Sequence, residues 1–179
     1  VDIMFSNCIT EGRSLPDYSE SDDFQVKLRI ESKIINPQLR RYLHALKAER
    51  RSEEQLNTFD LLTIYSILNK DGSRVYERSL ERLLKEGIIL KHPVLGYIMG
   101  NGYFEYNTFV LRGHVDADTM RRLYYLLENG PKSMSSFVHT WENELTIKQV
   151  RTKIEKLVGL VLSKTGRGRG TLYDFIKNS

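Results

Sequence analysis

A mainly helical α+β fold is what this sequence predicts, with tandem winged helix-turn-helix units carrying small β-wings behind a strand and a helical linker. Three observations predict it. Apolar residues recur at helical spacing over most of positions 36–157. The order helix, helix, glycine, short strand, hairpin occurs twice, over about residues 53–112 and again over 113–179. The excess positive charge falls entirely within the second occurrence: residues 131–179 hold 9 Lys/Arg against 4 Asp/Glu, and the residues before them 18 against 19.

The elements follow in chain order. Phe24, Val26, Leu28 and Ile30 alternate with Gln25, Lys27 and Arg29, the period of two of a strand with one buried face. A lone strand cannot bury that face, so it is expected to pair with a sheet supplied from elsewhere. Asn36-Pro37 reads as a helix cap and first-turn proline, with Leu39, Tyr42, Leu43 and Leu46 on one face. Thr58 to Asn69 forms the next helix, on Phe59, Leu61, Leu62, Tyr65 and Leu68, ending at Asp71-Gly72. Val75 to Lys85 follows, facing inward with Tyr76, Leu80, Leu83 and Leu84 and outward with Arg74, Glu77, Arg78, Glu81, Arg82 and Lys85. Ile88 to Leu90 then reads as a strand, with a hairpin return through Gly96, Asn101-Gly102 and Tyr103 to Tyr106.

In the second occurrence Asp116 or Asp118 caps a helix on Met120, Leu123, Tyr124 and Leu127 that stops at Asn129-Gly130. Ser133 or Ser135 opens a short helix through Phe137, Val138 and Trp141. Thr146, with Gln149 three residues on, has capping-box spacing for a third helix facing inward with Ile147, Val150, Ile154 and Leu157. Gly159 closes it. Leu160 to Ser163 is a strand, and Gly166-Arg167-Gly168-Arg169-Gly170 leads into a returning strand of Leu172, Tyr173, Phe175 and Ile176.

Composition narrows the function. With 40% hydrophobic and 28% charged residues, the chain of 179 residues is an ordinary globular sequence for one domain or two small ones. One cysteine, Cys8, excludes an internal disulfide framework, and four scattered histidines form no zinc-ligand spacing; a reducing, cytoplasmic setting is expected. No run approaches the ~20 apolar residues of a membrane span. The opening lacks both methionine and a basic segment before an apolar run, and an upstream domain is expected. No glycine loop ends in Lys-Ser/Thr, Gly96 to Gly102 lacks dinucleotide-binding spacing, and His44, His92, His114 and His139 have no evident nucleophile partner, so neither enzyme activity nor a cofactor is expected.

A net charge of +4 and a pI near 9.1 allow a polyanionic partner, and the charge distribution indicates where it would bind. A helix enters the major groove when its outer face is polar and basic and its inner face is anchored. From Thr146 onward, Lys148, Gln149 and Thr152 suit base edges, while Arg151, Lys153 and Lys156 suit phosphates. In the hairpin, Gly168 and its neighbours let the backbone approach a duplex, Arg167 and Arg169 supply charge, and Lys164 and Thr171 flank the tip. The expected partner is double-stranded DNA. Two alternatives stay open: a protein-interaction or oligomerisation module, including a homodimer, and an RNA-binding domain using the glycine-arginine tip. The first unit, with mixed charge on its second helix and an apolar hairpin, reads as a scaffold, dimerisation or docking unit, with secondary DNA contact as the alternative.

These residues resemble bacterial RecG-like transcription regulators that begin with an Alba-type (Schlafen-like) nucleic-acid-binding domain. Leu15-Pro16, Tyr18 and Phe24 to Ile30 resemble the end of the ATPase-like module of that family. NTFDLLTIYSILNKDG and RSLERLLKEGIIL resemble its following winged unit, and LTIKQVRTKIEKLVGLVLSKTGRGRGTLYDF its last, where a glycine-arginine-glycine run precedes Thr-x-Tyr, here Thr171 and Tyr173. The resemblance implies tandem winged helices, DNA binding and transcription regulation. It does not imply helicase activity, because no motor motif occurs. On this basis residues 1–52 are the end of an upstream ATPase-like module plus a helical linker, 53–112 a degenerate winged unit and 113–179 a basic DNA-binding one.

Overall fold

The computed structural model describes residues 2–176, apart from the side chains of Asp2 and Arg169. It is α+β, with about half of these residues in helices, beside small antiparallel sheets. The chain divides into two compact units, one running to Tyr106 and the other starting at Asn107. Residues 1–52 therefore do not stand apart from 53–112 as expected, and the division falls six residues before the expected 112/113 boundary. Among the described residues no helix is long and apolar enough to cross a membrane.

In the first unit, α1 (Asp2–Thr10) packs on α2 (Pro37–Glu49) and α3 (Thr58–Asn69), burying Cys8 and Ile9. Asn36 caps α2 by accepting from the Leu39 amide at 2.9 Å, with Pro37 in the first turn, so the expected start is found. Asn57 and Asp60 form a reciprocal capping box on α3. That helix ends on Lys70, a non-glycine residue at φ 54°, rather than at Asp71-Gly72. Phe59 and Tyr76, both placed inward by spacing, are surface residues whose rings meet edge to face at 4.8 Å. Helix α4 (Glu77–Lys85) leads through Gly87 into the hairpin of β1 (Ile89–His92) and β2 (Gly96–Met99), paired Ile89 to Met99 and His92 to Gly96.

Two expectations fail here for physical reasons. Tyr103 to Tyr106 is not a return strand: α5 (Asn101–Glu105) buries the adjacent Tyr103 and Phe104, which a strand would send to opposite faces, and Tyr103 meets Tyr42 of α2 edge to face at 5.9 Å. The return ends at Gly100, where a Cβ would stand 2.2 Å from the carbonyl oxygen of Gly87. Phe24 to Ile30 is not a sheet strand either. It is held by a single bridge between Asp17 and Arg29 and a turn on the Asp22 carboxylate, and Phe24 and Val26 are 94% and 81% exposed. The alternation is present in the sequence, but among the described residues no sheet strand pairs with this segment.

The loop returns to α2 over Gly12, whose carbonyl accepts from the Ile35 and Asn36 amides at 2.8 and 2.9 Å. Gly12 has φ 64°, and a Cβ there would lie 2.3 Å from the Asn36 carbonyl oxygen. Gly12→Ala is expected to destabilise the first unit by about 1–3 kcal/mol, measured by urea unfolding; an unchanged midpoint would contradict the strain.

In the second unit, α6 (Thr108–Leu111) precedes α7 (Ala117–Leu127), which Asp116 caps through the Thr119 amide and hydroxyl. Then come β3 (Lys132–Ser133), α8 (Met134–Thr140), α9 (Ile147–Leu157), β4 (Leu162–Thr165) and β5 (Leu172–Phe175). The sheet order is β3-β5-β4, all antiparallel, with Ser133 opposite Leu172 and Lys164 opposite Tyr173. Leu123, Phe137, Val150, Ile154, Val161 and Leu162 form the core. β3 carries no legible pattern, being two residues long. β4 starts later than expected because Gly159, at φ 87°, turns the chain and leaves Leu160 on the surface.

Candidate nucleic-acid interface

Helix α9 is positioned by its cap and its inner face. The Thr146 hydroxyl and the Gln149 side chain cap reciprocally, and Val150, Ile154 and Leu157 are buried. Ile147, expected inward, is 57% exposed, since the first residue of the helix projects past the core. The opposite stripe presents Lys148, Arg151, Thr152 and Lys156 to solvent.

Several residues expected to touch DNA are engaged within the protein. The Gln149 Oε1 accepts from the Thr146 amide at 2.8 Å and from its hydroxyl at 2.9 Å. With that oxygen engaged, the two-point adenine contact open to a free glutamine is lost, and Thr146 is likewise a cap. The Thr152 hydroxyl donates to the Lys148 carbonyl at 2.9 Å. Lys153 is half-buried, its Nζ 3.7 Å from the Asp116 carboxylate and 5.9 Å from the Trp141 ring centre, and it ties α9 to the cap of α7. Lys164 donates to Glu155 at 2.8 Å, and Thr171 donates to the Gly168 carbonyl at 2.9 Å, shaping the hairpin turn. The Arg169 side chain lies outside what is described. Lys148, Arg151, Lys156 and Arg167 remain exposed, with no ion pair among the described residues. The tip itself is open: Gly166, Arg167, Gly168 and Gly170 are exposed, and Gly166, at φ 82°, admits no Cβ because the Gly170 carbonyl oxygen would lie 2.5 Å away.

Spacing did not single out Glu155, and it placed Tyr173 on the returning strand without this partner. The Glu155 Oε1 accepts from Lys164 Nζ at 2.8 Å and from the Tyr173 hydroxyl at 2.7 Å. The Lys164 hydrogen bond, and then that of Tyr173, hold the Glu155 carboxyl below its usual range. For Glu155 the signal was a single acid within a basic helix face, and for Tyr173 its place in the Thr-x-Tyr run of the hairpin. On the other flank of α9, Lys148, Lys153 and Lys156 line a groove of about 840 Å³ against His114 and Asp116, floored by Leu145, Leu157 and Leu160. Among the described residues no group of three or more His, Cys, Asp and Glu could hold a metal ion.

The first unit differs. Arg82, expected outward, donates to Asp60 at 2.8 Å, to Glu86 at 2.9 Å and to the Glu54 carbonyl at 2.8 Å; Arg74 lies over the Phe5 ring at 5.3 Å. Its hairpin tip is apolar, with Val94, Leu95 and Tyr97 exposed.

No family model and no curated protein matches the chain. Among solved structures it is similar to the DIP2311 protein from Corynebacterium diphtheriae, at 14% identity and a TM-score of 0.40, over 98% of this chain and 36% of that one. The chain thus spans about a third of the length of that protein, and a likeness this distant adds nothing to the assignment of a site.

Proposed function

We propose that the second unit is a winged helix-turn-helix domain that binds double-stranded DNA, in a protein that regulates transcription. The order helix, strand, helix, helix, strand, strand around a three-stranded antiparallel sheet supports the fold reading. One observation carries the functional reading: the outer stripe of α9 holds Lys148, Arg151 and Lys156 exposed and without an ion pair among the described residues, and the base of the exposed glycine-arginine hairpin is fastened to the same helix through Lys164 and Glu155. Cations on a groove-sized helix and on an adjoining hairpin suit the phosphate spacing of a duplex.

Fluorescence anisotropy of the whole chain with a mixed-sequence duplex tests this. Binding is expected at 50 mM salt, with log affinity falling against log salt at a slope of about −3 to −4, or 0.9 for each of four phosphate contacts. Absence of binding, or equal affinity for single strands, would overturn it. A protein-contact reading applies to the first unit instead, where the exposed apolar tip and the internally paired arginines favour docking over phosphate binding.

A further inference from the structure

We propose that Glu155 is a positioning residue: it holds both strands of the hairpin against α9, so that the glycine-arginine tip meets the duplex together with the helix cations. The inference rests on the DNA reading above. An acid on this stripe calls for an explanation. Glu155 lies one turn beyond Arg151 and two turns beyond Lys148, on a surface whose other charges attract phosphate, and a carboxylate there repels it. Both hydrogen bonds converge on one oxygen, and the donors come from opposite strands: Lys164 on β4 and Tyr173 on β5 are register partners, one step from the pair Thr165 and Leu172 that closes on the loop. The Tyr173 ring is buried and meets Phe137 edge to face at 5.6 Å, which fixes its hydroxyl, and Lys164 Nζ lies 5.6 Å from that ring. The carboxylate therefore joins the helix to a rigid point of the core and to the base of the tip. Lys164 is accordingly part of the fastening.

The sign of the effect distinguishes this from simple electrostatics. If Glu155 were an incidental surface acid, Glu155→Gln would tighten duplex binding by removing a repulsion. With a positioning role, E155Q is expected to weaken binding about threefold to tenfold, the scale of one ordinary hydrogen bond, since the amide oxygen accepts without the charge that strengthens both contacts, and to lower the salt slope by about 0.9 as the Arg167 contact is lost. Tyr173→Phe keeps the ring and the net charge and is expected to weaken binding in the same direction; it also serves as the test if E155Q does not fold. Parent-level or tighter binding by E155Q and Y173F, with the parent bound, would overturn the inference and leave the DNA reading intact. A parent that fails to bind duplex would overturn both.

Discussion

The K148A/R151A/K156A/R167A variant is expected to bind duplex on the order of a thousandfold more weakly at 0.1 M salt, with the salt slope reduced by about 3 to 4. All four side chains are exposed, and none has an ion pair among the described residues, so the second unit should melt as the parent does. Separating the four by single substitutions assigns roles. Arg151, Lys156 and Arg167, as phosphate contacts, should each weaken all sequences about equally. Lys148, near the start of the helix, should also relax preference at one base pair. Retention of binding within tenfold by the quadruple variant would remove α9 and the hairpin from the interface.

Arg82→Ala is expected to destabilise the first unit by about 3 kcal/mol, because it strands a buried carboxylate. Asp60 is 1% exposed, and its Oδ2 holds the Arg82 guanidinium at 2.8 Å as well as the Asn57 amide at 3.0 Å. The same guanidinium bonds Glu86 and two loop carbonyls, so the substitution also releases the segment entering α3. Asp60→Asn combined with Arg82→Met removes both charges and should cost less than R82A alone. Urea unfolding, followed by a probe in each unit, would record the loss in the first unit only. A shift under about 0.5 kcal/mol, the range of ordinary surface substitutions, would contradict the role given to this pair.

Local chemistry was legible in the sequence; long-range partnership was not. Asn36-Pro37, Thr146 with Gln149, and the buried run Val150, Ile154, Leu157 are determined within a turn or two of chain, and they stand where spacing puts them. The same spacing marks Lys153 and Lys164 as outward cations, but their fates depend on Asp116 and Glu155, which are 37 and 9 residues away. Arg82 falls on the outer side of α4 by periodicity and is drawn down by Asp60, 22 residues earlier. The period of two at Phe24 to Ile30 says what a strand would require and says nothing of whether a partner is at hand. Tyr103 and Phe104 are adjacent and both buried, a pattern that alternation cannot express.

Cys8 is the single cysteine of the sequence, and the residue is 5% exposed where α1 packs on α3. A thiol reagent in solution can reach it only when that packing loosens. Its labelling rate is therefore a built-in clock for the opening of the first unit, free of background from the second.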